Sequence, residues 1–161
     1  MNQAFPTDIP SILQRIEDID PESYARTRNF KNGSVSHLSP YLSRGVISTK
    51  QVLESLISKG IEWTTAQKFV QELAWREFYQ RLWQSLEDDL FEDILQMRSG
   101  VSNRMMPTSL LNGSTGITAI DEGIRELKRN GYMHNHLRMY VASLACNLAK
   151  SHWPMPAAWM Y

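Results

Sequence analysis

Apolar residues recur along this chain every three or four positions, and sustained alternation of β-branched residues between turn clusters is absent, so the pattern predicts helices and no sheet. Ser48-Thr49-Lys50-Gln51 reads as a capping box. Val52, Leu53, Leu56 and Ile57 follow on one face, and Gly60 is the stop. Ser39-Pro40 reads as an N-cap with proline in the first turn, opening a short helix that ends near Gly45. The longest helix is predicted from about Thr65 to Leu86, with Val70, Ala74, Phe78 and Leu82 repeating every four residues. Ile117, Ile120, Ile124 and Leu127 mark another, closed by Asn130-Gly131. A last helix is expected from about Asn135 to Ser151, with Leu137, Val141, Leu144 and Leu148 facing a core. Between these, residues 87–93, "EDDLFED", read as a solvated acidic turn and short helix, and residues 98–116 as a connecting loop rich in Gly, Ser, Asn and Pro. The expectation is an all-α, multi-helical fold in one domain over residues 1–161, without internal repeats.

Composition narrows the function classes. Seventeen basic residues balance seventeen acidic ones, which removes any long-range field toward nucleic acid or an anionic membrane, so attraction to DNA must be local. Cys146 is the only thiol, which excludes a disulfide framework and a Cys-based metal site and suits a reducing compartment. "MNQAFPTDIP" lacks the layout of a secretory signal and no apolar run is long enough to span a bilayer; the chain reads as cytoplasmic, with no membrane partner and no metal.

Three faces carry candidate chemistry. Asn135, Arg138, Ala142, Ala145 and Ala149 fall on one side of the last helix, a strip polar at its start and shallow beyond it. It suits either another helix packed on the alanines, with Arg138 reaching a carboxylate, or a planar aromatic ligand held by the amide and guanidinium. On the longest helix, Glu72, Trp75, Arg76 and Tyr79 share a face, with Phe69 one turn earlier. Glu72 and Arg76 have the spacing of an i,i+4 ion pair, and Trp75 is either a half-buried core residue or a platform for a nucleobase. "NGSVSHLSPYLS" places three serine hydroxyls before a helix start, where free amides favour an anion, although the glycine pattern and lysine of a P-loop are missing.

Taken in order, "YARTR", "SHLSPYLSRGVIS", "QELAWREFY", "TGITAIDEGIRELKRNGYMHNHLRMYVAS" and "SHW" resemble the motifs of the C-terminal FAD-binding helical domain of DNA photolyases and cryptochromes, over most of residues 24–153. The resemblance implies FAD as cofactor. It places Val35, Ser36, His37, Leu38 and Ser39 in the stretch that grips the FAD phosphates, Tyr24 at an upstream contact, and Phe69, Arg76, Asn135 and Arg138 in the lining of one cavity for a bent dinucleotide. It further implies a rim of Arg28, Trp75, Tyr79, Asn135, His136 and Met139 that receives DNA with a flipped pyrimidine dimer. Glu72 would hydrogen-bond the dimer, and Trp153 would belong to a tryptophan electron relay. The implied activity is a light-driven lyase splitting pyrimidine dimers in DNA. Alternatives are a cryptochrome-type flavin sensor or interaction module without repair, and a cofactor-free helical remnant.

The chain also departs from the pattern. "HNH" stands where the family has "HNR", so His136 replaces an arginine expected on DNA phosphate. No tryptophan lies between Trp83 and Trp153 to complete the relay. The family pattern implies an N-terminal antenna domain before this region. It also implies a further segment after Tyr161 whose aspartates and asparagine hold the isoalloxazine ring; their absence from this sequence would impair FAD binding, and surface left uncovered there would favour self-association.

Overall fold

The computed structural model describes residues 5–87, 89 and 100–161. The chain divides into two compact units, Met1–Glu87 and Asp88–Tyr161. Among the described residues every regular element is helical, and the one backbone bridge, Asn103 with Ser151, is isolated. The all-α expectation therefore holds.

The first unit holds α1 (Ile9–Glu17), α2 (Pro21–Thr27), α3 (Ser39–Ser43), α4 (Thr49–Ser58) and α5 (Trp63–Leu86). Asp8 and Asp20 cap α1 and α2 by accepting from the amides of Ser11 at 2.9 Å and Ser23 at 3.0 Å, and each helix carries proline in its first turn. In α4 the predicted capping box is present, with Gln51 N–H donating to Ser48 Oγ at 3.1 Å and Ser48 N–H to Gln51 Oε1 at 2.8 Å. Ile12, Ile16, Leu38, Tyr41, Val52, Leu56 and Phe69 form the core of this unit. Lys59 Nζ donates to the last carbonyls of α1, those of Ile16 and Glu17, and so ties α1 to the end of α4.

Several expectations fail here, each for a reason of packing. Val52 and Leu56 are buried as predicted, but Ile57 is 67% exposed, because one helix of ten residues offers only a narrow stripe to α1 and α5. The start of α3 is capped by Leu38, and Ser39 lies inside the helix with no side-chain cap. Along α5, Ala66 and Phe69 are buried while Ala74 and Phe78 are exposed. The core side of α5 is therefore chosen by α2 and α4, which pack on its first half, and not by the four-residue repeat.

The second unit holds α6 (Thr108–Asn112), α7 (Thr118–Asn130), α8 (Asn135–Ser143) and α9 (Pro154–Met160). Residues 108–112, expected as loop, are helical, and Leu110 anchors them in a core with Met106, Ile120, Ile124, Met133, Val141 and Ala145. The predicted acidic turn at residues 87–93 lies mostly outside the described residues, as do residues 98 and 99 of the predicted loop. Gly131 (φ 68°) ends α7 as predicted. The last helix is interrupted: Leu144–Leu148 is a π-turn, with Ala149 N–H donating to Leu144 C=O. The wider turn carries Leu148 out of register, to 75% exposure, and Ala145 takes the inward position instead.

Candidate functional site

The serine loop is fixed by the end of α2. Thr27 Oγ1 donates to Ser23 C=O at 2.7 Å and accepts from Ser34 N–H at 2.8 Å. Gly33 is required there, since a Cβ at this position would lie 1.8 Å from Thr27 O, a backbone atom. Tyr24, Ser34, Val35, Ser36 and Phe69 then line one hollow of about 90 Å³. The structure thus brings together four residues that the sequence assigns to the cofactor. Leu38 is buried in the core, His37 has a left-handed backbone (φ 53°) and sets its ring edge-on to Phe5 at 5.9 Å, and Ser39 is exposed.

The hollow does not have the charge of a phosphate cradle. Asp18 and Asp20 line it against the single cation Arg15, and hydrogen bonds from Ser23 hold the Asp20 carboxyl below its ordinary range. Its polar wall suits hydroxyl and N–H groups better than anions.

Unpaired cationic nitrogens lie instead on α2 and α5. Arg28 closes α2, sets its guanidinium over the Tyr24 ring at 5.8 Å and pairs through Nη2 with Glu72 of α5 at 3.6 Å. Tyr24 in turn meets Phe69 edge-on at 5.0 Å. Glu72 is therefore paired across helices with Arg28, not along α5 with Arg76. Nη1 of Arg28 and Nη2 of Arg76 are buried and have no hydrogen-bond partner among the described residues. A buried unpaired donor is costly and rare in native folds, which makes these two atoms informative.

Further along α5, Trp75 (47% exposed) stacks on Tyr79 (60% exposed) with ring centres 5.9 Å apart and planes 27° apart. Phe78 stands edge-on to both. This is an open aromatic surface rather than a core.

In the second unit Asn135, His136, Arg138 and Met139 share α8, with Asn135 and Met139 exposed and His136 edge-on to Tyr140 at 5.4 Å. Arg138 is engaged internally: Nε donates to Met133 C=O at 3.2 Å and Nη1 to Met160 C=O, tying the start of α8 to the end of α9. Burial pushes its pKa down, but a guanidinium remains charged at any ordinary pH. The carboxylate partner expected for it in the helix-packing reading is replaced by these carbonyls. Trp153 is partly buried at the start of α9.

Two residues of this unit have a structural role that the sequence reading does not assign. His134 caps α8, its Nδ1 accepting from His136 N–H at 3.2 Å. The neutral ring then carries its proton on Nε2, which is buried and has no partner among the described residues. Burial, then the neighbouring His136, lowers its pKa. Asp121 accepts from Thr115 N–H (2.8 Å), Thr115 Oγ1 (2.6 Å) and Gly116 N–H (3.1 Å), which fixes the loop entering α7. A Thr-Gly pair followed by Asp was the available signal. No group of three His, Cys, Asp or Glu suited to a metal ion occurs among the described residues, and no helix there is long and apolar enough to cross a membrane.

Known proteins share this arrangement of elements and motifs. Residues 69–161 match the family described as the FAD binding domain of DNA photolyase. A deoxyribodipyrimidine photo-lyase of Vibrio cholerae is 36% identical over 151 residues, which cover 86% of this chain and 32% of the relative. The crystal structure of a Synechocystis cryptochrome superposes with a TM-score of 0.83 at 25% identity, over 98% of this chain and 35% of that one. A bacterial class III photolyase from Agrobacterium tumefaciens gives 0.77 at 28% identity, over 94% and 33%. The chain thus spans a quarter to a third of the length of the proteins it matches. With the family match extending from Phe69 on α5 to Tyr161, and with the same helical fold in both solved structures, the chain belongs to the family of the FAD-binding domain of DNA photolyase.

Proposed function

We propose that this chain supplies part of an FAD site in a photolyase-type protein that acts on pyrimidine dimers in DNA. The observation that carries the reading is the chemistry of the unsatisfied atoms: Arg28 Nη1, Arg76 Nη2 and His134 Nε2, the buried side-chain atoms left unpaired among the described residues, are all N–H donors. Such donors, in each unit taken by itself, call for acceptors, and FAD and DNA are both dense in phosphate and carbonyl oxygens. In the first unit Arg76 is the proposed cofactor contact, with Tyr24, Ser36 and Phe69, and in the second unit Asn135 is proposed as a contact while Arg138 holds the scaffold through its bonds to Met133 and Met160. At about 90 Å³ the hollow is far below the roughly 300–1,000 Å³ of a pocket that encloses a drug-sized ligand, so its lining would address one portion of the dinucleotide. Because the chain covers a quarter to a third of these relatives, it is proposed to supply a share of the site.

Reduced FAD, when bound, supplies the light-excited electron that splits the dimer. The protein's own part is placement. Trp75 and Tyr79 would offer stacking surface to a flipped base, worth roughly 1–3 kcal/mol per base, and Glu72 a hydrogen-bonding carboxylate. A sensor of cryptochrome type is the second reading, favoured by His136 standing where an arginine is expected on DNA phosphate.

The test is to mix the purified chain with FAD, separate free flavin by gel filtration and record the visible spectrum. Retained flavin is expected, and a folded, helical chain that retains none would end the reading. Light-dependent loss of dimers from an ultraviolet-damaged oligonucleotide then separates repair from sensing.

A further inference from the structure

We propose that Phe5 is a positioning residue for the walls of the hollow: with Pro6 it forms a strap that clasps α1 to the serine loop, and releasing the strap frees that loop to move. The strap belongs to the first unit alone; its consequence for FAD rests on the cofactor reading above. Three elements hold it. The Phe5 ring carries the Arg15 guanidinium of α1 over its face at 5.5 Å, meets His37 edge-on at 5.9 Å and lies tilted against Tyr41 of α3 at 6.4 Å. Rings attract at centre distances of roughly 4.5–7 Å, and a cation over a ring face within about 6 Å. One residue further on, Tyr41 Oη donates to Pro6 C=O at 2.8 Å, a bond spanning 35 positions of the chain. Asp8 then caps α1 through Ser11 N–H, so the segment is fixed from the Phe5 ring to the start of the helix.

What these contacts join gives them their weight. Arg15 lines the hollow from α1, and His37 follows directly on Ser36, which lines it from the serine loop. Phe5 is not itself part of the lining, so it acts through these two neighbours. A single half-buried ring therefore touches both walls.

Backbone strain falls at the same place. Among the described residues only His37, Glu87 and Lys150 combine a side chain with a left-handed backbone, and at His37 (φ 53°) this turn carries the chain from Ser36 on the hollow to Leu38 in the core. Such a conformation persists only where its surroundings over-determine it. The His37 side chain is exposed, so the core does not supply that restraint, whereas the edge contact with Phe5 does. A ligand that needs both walls in place binds better while the strap is docked, and by reciprocity it favours the docked strap.

Hydrogen exchange of the free chain tests the strap, with helicity checked by circular dichroism. Phe5→Ala is compared with Tyr41→Phe, which removes the phenol that holds Pro6 but keeps the ring. In either variant the amides of residues 34–38 are expected to exchange roughly three- to tenfold faster, the scale of one ring contact or one neutral hydrogen bond, while the capped Gln51 N–H of α4 keeps its wild-type rate. Phe5→Tyr, which retains a ring face, should restore wild-type exchange, and Phe5→Leu, apolar without that face, should not. Equal acceleration at Gln51 and in the loop would make Phe5 ordinary packing and overturn the inference. So would a loop whose exchange does not change.

Titrating FAD against the same proteins tests the consequence. Affinity should fall by a similar factor in Phe5→Ala and return in Phe5→Tyr, and FAD should slow exchange at residues 34–38 of the wild type. Equal affinities for Phe5→Ala and wild type would overturn the coupling. Wild-type protein that binds no FAD would instead remove the cofactor reading, and exchange in the free chain would still decide the strap.

Discussion

The two units treat the same side chain in opposite ways. In the first, Arg28 and Arg76 each keep a buried guanidinium nitrogen without a partner among the described residues; in the second, Arg138 gives Nε to Met133 C=O and Nη1 to Met160 C=O. The sequence resemblance assigns Arg76 and Arg138 one role, as lining of a cofactor cavity. Their hydrogen bonding separates them. An arginine whose donors are satisfied within the fold contributes to stability whether or not a ligand arrives. An arginine with a buried, unsatisfied donor costs stability until something accepts from it. The contrast divides the candidate residues into those that support the scaffold and those that await a ligand, and mutation can test each side.

The largest effect is expected at Gly33, on which the first unit's loop depends. In Gly33→Ala the new methyl group would meet Thr27 O at 1.8 Å, and a carbonyl in the backbone cannot rotate aside. Relief requires moving Ser34, Val35 and Ser36. We expect a loss of about 3 kcal/mol, the upper end for overpacking, together with loss of flavin retention. Gly45→Ala is the control: it has a left-handed backbone (φ 69°) but no neighbour within 4 Å, and should cost only about 1–2 kcal/mol. Denaturation midpoints and flavin content, measured on both variants, decide the matter. Equal losses would mean that the close approach to Thr27 does not shape the loop.

Next comes Arg138→Ala, which removes two charge-assisted bonds and frees the end of α9. It should lower stability by about 2–3 kcal/mol even when no flavin is present. A variant as stable as the wild type, but poor in flavin, would move Arg138 from the scaffold group to the ligand group.

How far the sequence discloses this division depends on whether the signal is local. The capping box of α4 and the glycine stop of α7 are local, and both stand where the pattern places them. Asp8-Ile9-Pro10 and Asp20-Pro21 carry equally local start signals for α1 and α2, which the apolar spacing alone passes over. The face of α5 is not local. Phe69, Trp75, Phe78, Tyr79 and Trp83 all fall on one half of this helix, yet of these only Phe69, at its edge, is buried, together with Ala66 and beside Val70 and Leu73, so the neighbours decide what is buried. The π-turn at Leu144–Leu148 has no sequence mark at all, and it reverses the prediction for Leu148. The same limit applies to the site. Motif wording singles out Tyr24, Val35, Ser36 and Phe69, which share one hollow, because residue identity is what a motif preserves. The partners of Arg138 are backbone carbonyls, which carry no identity to read.

A smaller effect is expected on acidification of the second unit. His134 caps α8 only while Nδ1 is unprotonated, and its pKa is lowered from 6.5 by burial. Its contribution to stability is complete above about pH 6.5 and is lost as pH falls through the lower folded value. Asp121, lowered from 3.8 mainly by its bond from the Thr115 hydroxyl, contributes fully above that value and loses its contribution at more acidic pH still. Thermal midpoints should therefore decline in two steps on going from pH 7 to pH 3. His134→Gln, with an uncharged side chain that also accepts hydrogen bonds, should abolish the first step and keep the second. An unchanged first step would assign it to another group.

The smallest effect on stability, and the most telling for function, is expected at Arg76. Replacing a guanidinium that holds a buried, unpaired nitrogen removes a desolvation cost, so Arg76→Ala should leave the unfolding free energy within about 0.5 kcal/mol of the wild type or raise it slightly. If that nitrogen awaits an acceptor on the ligand, the same substitution should reduce flavin affinity by roughly ten- to a hundredfold, as expected for one hydrogen bond from a charged donor. Arg138→Ala should show the reverse order, with stability falling first and flavin binding falling only as the fold loosens. Titrating FAD against both variants, at a temperature where both remain folded, compares them directly. Equal affinities for Arg76→Ala and wild type would show that the unpaired donor of α5 faces no part of the flavin, and the division between scaffold and ligand arginines would then fail on the side where it matters most.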